Sequence, residues 1–329
     1  MKKLLLVLTT FCMFASASYA QGILSSLLGS ASKPNGPKIK FVEGDENANE
    51  EILLIKLQGI IQEISEDDSM MGSLKQKTSM IDKLKDDLIL AAKRKAIVAV
   101  LVDINSPGGE VTASDLIYHM FKKFTKETGK PVFAHIGSNG ASGAYYAACG
   151  CVKIYSLPTS MIGSIGVLLQ SVNIEELANK LGIKAVTIKS DKTPMKDILS
   201  PFRQATEEEK AMLLELVEDS YNRFVDIVAE NRKLDREAVV KLANGAVYSA
   251  TKANKLGLTD GIGYREDVVE NICKACSIKS AAVVQRSSNK GGIAELLSSL
   301  SESTNDIRPL LRTFANQLMI GNTPVLMFK

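Results

Sequence analysis

The chain has 329 residues, with 40 lysines and arginines, 37 aspartates and glutamates, two histidines and no tryptophan. A hydrophobic content of 45% can build a large core, which excludes a chain that is disordered throughout. A net charge of +3 and 5% aromatic residues give no basic, base-stacking surface for nucleic acid. Two histidines also argue against a multi-histidine metal site.

The first fifty residues are predicted to lie outside the folded core. Lys2 and Lys3, the apolar stretch 4–14 and the small residues before Gln21 are typical of a bacterial secretory signal. The apolar stretch is shorter than the ~20 residues of a membrane span, which favours a cleaved signal peptide at 1–20 over a retained anchor. Residues 21–50 are rich in Ser, Gly, Asn and Pro and predict a flexible linker. We therefore expect export, to the periplasm or the outer face of the bacterial inner membrane.

From residue 51 onward, short apolar runs alternate with segments of helical periodicity. Strands are predicted at 52–55, 97–104, 131–136, 152–155 and 184–188. Helices are predicted from Met80, after Gly109, after Gly143 and from Asn173. Thr206 and Glu209 form a capping-box pattern for a long helix that extends through Glu230. This order predicts βαβ crossovers and a mainly parallel α/β sheet.

Three glycine-rich loops each follow a predicted strand, at 105–109, 138–143 and 161–167. Loops at the carboxyl ends of parallel strands converge on one edge of the sheet, where sites form. None of the three has the glycine spacing of a dinucleotide-binding or P-loop motif. We expect the glycines instead to bring backbone N–H groups close to a substrate oxygen.

Ser142 is the strongest candidate for a nucleophile, because it lies in the second loop at the start of an apolar helix of small residues. There its hydroxyl would lie near the positive end of the helix dipole, and the N–H of Gly143 could face an oxyanion. The alternative is a serine that only caps the helix. The surrounding sequence is not the GxSxG motif of α/β-hydrolases.

A serine nucleophile needs a base. Neither His119 nor His135 has an evident acidic partner in the sequence, so both are interpreted as structural. A lysine can act as the base if desolvation lowers its pKa from ~10.4 towards neutrality. Lys196 has apolar neighbours in a loop that follows a predicted strand, and Lys189 and Lys192 are alternatives by proximity.

Beyond residue 20, the cysteines form two close pairs, Cys149 with Cys151 and Cys273 with Cys276. No second half-site with matching spacing lies nearby, which argues against zinc. We interpret both pairs as structural, and a disulfide between Cys273 and Cys276 remains open for an oxidising compartment.

As a set, these segments resemble the signal peptide peptidase A (SppA) family, which are serine peptidases with a Ser/Lys dyad on a Clp-protease/crotonase-like fold. The matching segments are NSPGG, ASGAYYAA, GSIGV, KDILSP and GLTDGIG, in the family's order over roughly residues 50–280. The resemblance implies the following roles: Ser142 as nucleophile, Lys196 as general base, Ser164 orienting the lysine, and Gly143 with Gly109 or Gly108 as oxyanion hole. One departure is Ala144, where members often carry glycine.

The resemblance also implies a function. It is that of a serine endopeptidase, without metal or cofactor, that hydrolyses hydrophobic peptides such as cleaved signal peptides near the membrane through an acyl-enzyme. The implied assembly is a ring-shaped homo-oligomer at the membrane surface, with no nucleic-acid partner. The peptidase domain is predicted at 51–280, and the role of the C-terminal extension 281–329 is not fixed.

Two other functions compete with this interpretation. A crotonase-like acyl-CoA enzyme would use a similar two-amide oxyanion hole, but export argues against it because acyl-CoA is cytoplasmic. A catalytically inactive, membrane-associated scaffold would keep the fold, but the presence of Ser142, Lys196 and Ser164 together argues against lost catalysis.

Overall fold

A computed structural model describes residues 39–63 and 79–287, together with the backbone of a short strand at 327–328. From Lys40 to Arg286 the described residues belong to one compact unit. The predicted signal peptide, most of the predicted linker and most of the C-terminal extension lie outside the described residues. The first strand, at Ile39–Gly44, falls inside the stretch predicted as linker.

Strands and helices alternate along the described chain. The strands are β1 (Ile39–Gly44), β2 (Glu51–Gln58), β3 (Ile97–Ser106), β4 (Gly109–Glu110), β5 (Val132–Ala141), β6 (Lys153–Ser156), β7 (Met161–Gly163), β8 (Val247–Ser249), β9 (Gly261–Ile262), β10 (Ala282–Arg286) and β11 (Met327–Phe328). The helices are α1 (Met80–Lys93), α2 (Val111–Thr128), α3 (Gly143–Ala148), α4 (Glu175–Lys180), α5 (Glu207–Arg232), α6 (Arg236–Leu242), α7 (Ala250–Lys255) and α8 (Arg265–Ala275). A 3-10 helix covers Pro194–Asp197.

The main sheet has the strand order β1-β10-β2-β3-β5-β6-β9, with β7 beside the end of β5 and β8 beside β7. The pairs from β10 to β9 and the pair of β5 with β7 are parallel, whereas β7 and β8 are antiparallel. Parallel neighbours joined by helices require crossover connections. The topology confirms the predicted α/β class with a mainly parallel sheet.

Both faces of the central strands are covered, which explains why β3 reads as a continuous apolar run. On one face, α8 contributes Val268 and Ile272 to a cluster with Leu101 and Phe133. The alternate positions, such as Val100 and Val102 of β3, are also fully buried. The core therefore fixes the strands on both sides and holds their carboxyl ends in place.

Two predictions for the region after β7 have opposite outcomes. The capping box is present, because Thr206 and Glu209 bond reciprocally at the start of α5. The strand predicted at 184–188 is absent, and Val186 and Ile188 are 82% and 95% exposed. An apolar run forms a strand only where a neighbouring strand accepts its backbone hydrogen bonds, and these residues have none among the described strands.

Within the described ranges, no helix is both long and apolar enough to cross a membrane.

Candidate active site

Ser142 lies at the junction between β5 and α3, in a backbone conformation that L-residues rarely adopt. Its φ is 55° and its ψ is −125°. Its N–H donates to the carbonyl of Gly163 at 2.7 Å, and its carbonyl accepts from the N–H of Tyr146 at 2.9 Å. Such a conformation costs roughly 1–3 kcal/mol and persists only where the surroundings enforce it, typically at functional sites. These two bonds are part of what holds the residue in that conformation.

The hydroxyl of Ser142 is fully buried, and among the described residues its Oγ has no hydrogen-bond partner. A buried hydroxyl without a partner costs about 1–3 kcal/mol. The alternative in which Ser142 only caps α3 would use the hydroxyl to accept a backbone N–H, but the helix has no such side-chain cap bond. The geometry therefore speaks against the capping interpretation.

The loop at 105–109 contacts Ser142 directly. A methyl group placed on Gly108 would lie 2.9 Å from the Cβ of Ser142 and 2.8 Å from the backbone nitrogen of Gly143, and the φ of Gly108 is 104°. The N–H of Gly108 donates to Oγ of Ser106 at 3.1 Å, so this amide already has a partner. The loop thus lies against Ser142 and leaves no room for a side chain at Gly108.

Ser164 is brought next to Ser142 by strand pairing. β7 lies parallel to the end of β5 with Gly163 opposite Ala141, so Ser142 and Ser164 are the residues that directly follow the ends of two paired strands. Neighbouring strands lie about 4.8 Å apart. Ser164 is 8% exposed, has a φ of 49°, and donates its N–H to the carbonyl of Ala246 at 2.7 Å.

Lys196 lies in the 3-10 helix Pro194–Asp197 and is exposed. Its ammonium forms no hydrogen bond or ion pair with any residue that the structure describes, whereas that of Lys189 pairs with the Asp197 carboxylate. Lys192 is exposed as well. The structure therefore shows no hydrogen bond between Lys196 and Ser142.

The two histidines lie away from this site. His119 is exposed on α2, and His135 is buried in β5, seven residues before Ser142 and so roughly 20 Å away along the strand. Parallel pairing sets Asp103 of β3 near His135, with Oδ1 3.9 Å from Nδ1, a proximity that the sequence does not make evident. Nδ1 forms no hydrogen bond with the described residues. Burial lowers the pKa of His135, while Nε2 contacts the carbonyl of Gly263 at 3.2 Å.

The cysteines do not form a second reactive centre. All four in the described part of the chain are free thiols. Burial raises the pKa of Cys149 to about 12 and also raises the pKa values of Cys273 and Cys276. Thiols with raised pKa values are poor nucleophiles. No cluster of metal-ligating side chains occurs among the described residues.

Comparison with known proteins adds independent information. Peptidase family S49 matches residues 124–279, a span that contains Ser142, Ser164 and Lys196. A protein of Enterococcus faecium, provisionally named signal peptide peptidase SppA, is 32% identical over 247 residues, which cover 75% of this chain and 70% of the relative. The chloroplastic serine protease SPPA of Arabidopsis thaliana is 26% identical over 285 residues, 85% of this chain and 41% of that protein.

Among solved structures, a point mutant of ClpP1 from Listeria monocytogenes matches with a TM-score of 0.42 and 16% identity, covering 65% of this chain and 92% of that chain. The family assignment does not depend on this match. It rests on the Enterococcus relative, whose identity exceeds 30% across more than two thirds of its length, and on the S49 match over the Ser142 region. The chain belongs to the SppA family of serine peptidases, peptidase family S49.

Proposed function

We propose that the protein is an endopeptidase that cleaves extended hydrophobic peptides, such as remnant signal peptides, through an acyl-enzyme on Ser142. The observation that carries this proposal is the state of Ser142 itself. Its backbone is strained and its buried hydroxyl is not committed to any structural bond. A protein keeps such costs where they serve a reaction.

The implied reaction is an ordinary acyl transfer. A neutral Lys196 removes the proton from Oγ as Ser142 attacks a peptide carbonyl, and then protonates the leaving amine. Water hydrolyses the acyl-enzyme with the same base, and Ser164 orients the lysine. For the oxyanion hole we favour the N–H groups of Gly143 and Gly109, because the amide of Gly108 is already bonded to Ser106.

We propose that an extended substrate binds along the edge of β4. β11 pairs antiparallel with β4, with Phe328 opposite Gly109 and Met327 opposite Glu110. β4 therefore has an edge that accepts an added strand, which is the general mode of β-strand addition. A peptide bound there would lie next to Gly109, close to the proposed oxyanion hole.

Lys196 must be desolvated and delivered to Ser142, and we propose that self-association does both. The segment 168–202 exposes an unusual number of large apolar side chains. They are Leu168, Val172, Leu177, Leu181, Ile183, Val186, Ile188 and Phe202. Exposed large apolar side chains in this number are typical of a protein interface. In a ring-shaped homo-oligomer this surface would be covered, and the environment of Lys196 would become apolar, which favours the neutral form of a lysine.

The proposed location follows from the sequence at 1–20 and from the expected substrate. We propose that the peptidase is exported and works in the periplasm or at the outer face of the inner membrane, where signal peptides remain after cleavage. Its nearly balanced charge fits an apolar peptide partner better than a charged one.

The test uses purified 21–329 chain, synthetic signal peptides and mass spectrometry of the fragments. Ser142→Ala and Lys196→Ala should each abolish cleavage, whereas Ser138→Ala and Lys192→Ala, exposed neighbours in the same segments, should not. A serine-directed probe should label Ser142. A crotonase-like enzyme would cleave nothing and leave the probe unbound, and an inactive scaffold would cleave nothing.

Mixing the two inactive variants tests how the lysine arrives. If Lys196 acts on a neighbouring copy, Ser142→Ala and Lys196→Ala restore activity when they assemble together. If the segment 168–202 folds onto its own chain, the mixture stays inactive. Full cleavage by either single variant would overturn the dyad.

A further inference from the structure

The segment that carries Lys196 is not held by a hydrophobic core. Between residues 166 and 205, only Ala178 is buried. Apolar packing therefore does not explain how the 3-10 helix Pro194–Asp197 keeps a defined shape. A base must be placed to within a fraction of an ångström, because a displacement of about 1 Å can reduce the rate about 100-fold.

Charged side chains form hydrogen bonds with the backbone on both sides of Lys196. Arg203 donates from Nε to Oδ2 of Asp197 at 3.0 Å and from Nη2 to Oδ1 at 2.9 Å. The same Nη2 donates to the backbone carbonyl of Asp197 at 3.1 Å. On the other side, Nζ of Lys189 donates to the carbonyl of Pro194 at 2.6 Å and to the Asp197 carboxylate.

The bonds from Arg203 and Lys189 to the segment Pro194–Asp197 are called the clamp below. Helix α5 anchors this clamp. Arg203 also donates from Nη1 to Oε2 of Glu209 at 2.8 Å and from Nη2 to Oε1. The side chain of Glu209 is only 3% exposed, and it forms the capping box of α5 with Thr206. α5 packs into the core through Phe224 and Val228. A continuous path of charge-assisted bonds thus runs from a packed helix to the residue next to Lys196.

We infer that Arg203, held by Glu209 and gripping Asp197, is the positioning residue for the catalytic lysine. This inference rests on the proposed role of Lys196. Arg203 does not touch the reacting atoms. Its planar guanidinium engages two carboxylates at once, which a lysine at the same position does not reproduce.

The clamp also sets the charge beside the base. Hydrogen bonds from Arg203, and then from Lys189, hold the pKa of the Asp197 carboxyl well below its usual value. Asp197 is therefore an anion directly next to Lys196, and an anion favours the protonated, inactive form of a lysine. The two cations offset that effect. Removing Arg203 makes the charge beside the base more negative, whereas removing the carboxylate of Asp197 makes it more positive.

The test compares Arg203→Met, Arg203→Lys and Asp197→Asn with the wild-type chain in steady-state cleavage of a synthetic signal peptide, across pH. Arg203→Met should lower kcat roughly 10- to 100-fold, with KM within about twofold of wild type. When kcat is plotted against pH, the part of the curve in which kcat increases with pH (the rising limb) should move to higher pH for this variant. Arg203→Lys should not restore kcat. Asp197→Asn should also lower kcat, but its rising limb should move to lower pH.

Thr206→Ala is the matched control, because it weakens the cap of α5 while leaving the clamp intact. Equal loss of kcat in Thr206→Ala and Arg203→Met, without a shift of the limb in either, would mean that Arg203 acts only through helix stability and would overturn the inference. Wild-type kcat in Arg203→Met, with Lys196→Ala inactive, would overturn the inference and leave the proposed function standing. Full activity of Lys196→Ala would overturn both.

Discussion

The contact between Gly108 and Ser142 makes Gly108→Ala a sharp test of how this site is built. The added methyl group would meet the nitrogen of Gly143 at 2.8 Å, Cβ of Ser142 at 2.9 Å and the carbonyl oxygen of Ala141 at 3.0 Å. None of these atoms is the flexible end of a long side chain. An L-residue at a φ of 104° costs about 1–2 kcal/mol, and overlap with a fixed backbone adds roughly 1–3 kcal/mol. We expect a total destabilisation of about 2–5 kcal/mol.

Gly129→Ala separates the two costs. Gly129 ends α2 with a φ of 72°, and a methyl group there would have no neighbour within 4 Å. This variant should lose only the conformational part, about 1 kcal/mol. Two measurements decide the matter: the free energy of unfolding in urea, and the rate at which a serine-directed probe labels Ser142.

Gly108→Ala should lose at least twice the unfolding free energy that Gly129→Ala loses, and its labelling rate should fall roughly 100-fold because the nucleophile is displaced. Gly129→Ala should label at the wild-type rate. A Gly108→Ala chain that is no less stable than Gly129→Ala and is labelled at the wild-type rate would contradict both expectations.

Three further outcomes are expected. Because burial lowers the pKa of His135, its protonation favours the unfolded chain. The free energy of unfolding should therefore decrease as the pH falls below ~6.5, by up to ~1.4 kcal/mol per pH unit. In urea titrations, the His135→Gln variant should show a smaller decrease. Asp260→Asn should cost roughly 3 kcal/mol by the same assay, because Arg232, only 8% exposed, loses its carboxylate partner. Deleting residues 327–329 should lower KM for extended apolar peptides, because the edge of β4 is no longer paired with β11; an unchanged KM in a peptide titration would contradict this.

Local sequence patterns predict much of the architecture. Apolar runs and helical spacing predict the parallel α/β class, and the capping box of α5 needs only Thr206 and Glu209 three residues later. The run at 184–188 shows the limit of such prediction. Whether an apolar segment becomes a strand depends on a neighbouring strand, and the structure leaves Val186 and Ile188 exposed.

At the candidate active site, too, some features follow from the local sequence and others only from the tertiary structure. The sequence by itself determined that Ser142 lies in a glycine-rich loop between a strand and a helix, in a chain of a serine peptidase family, because these properties depend on residues close in the chain and on motif order. Only the tertiary structure decided that its hydroxyl is buried without a partner, that Ser164 lies beside it and that Gly108 has no room for a side chain next to it. Those relations depend on strand register and on contacts between distant segments, which no local pattern encodes.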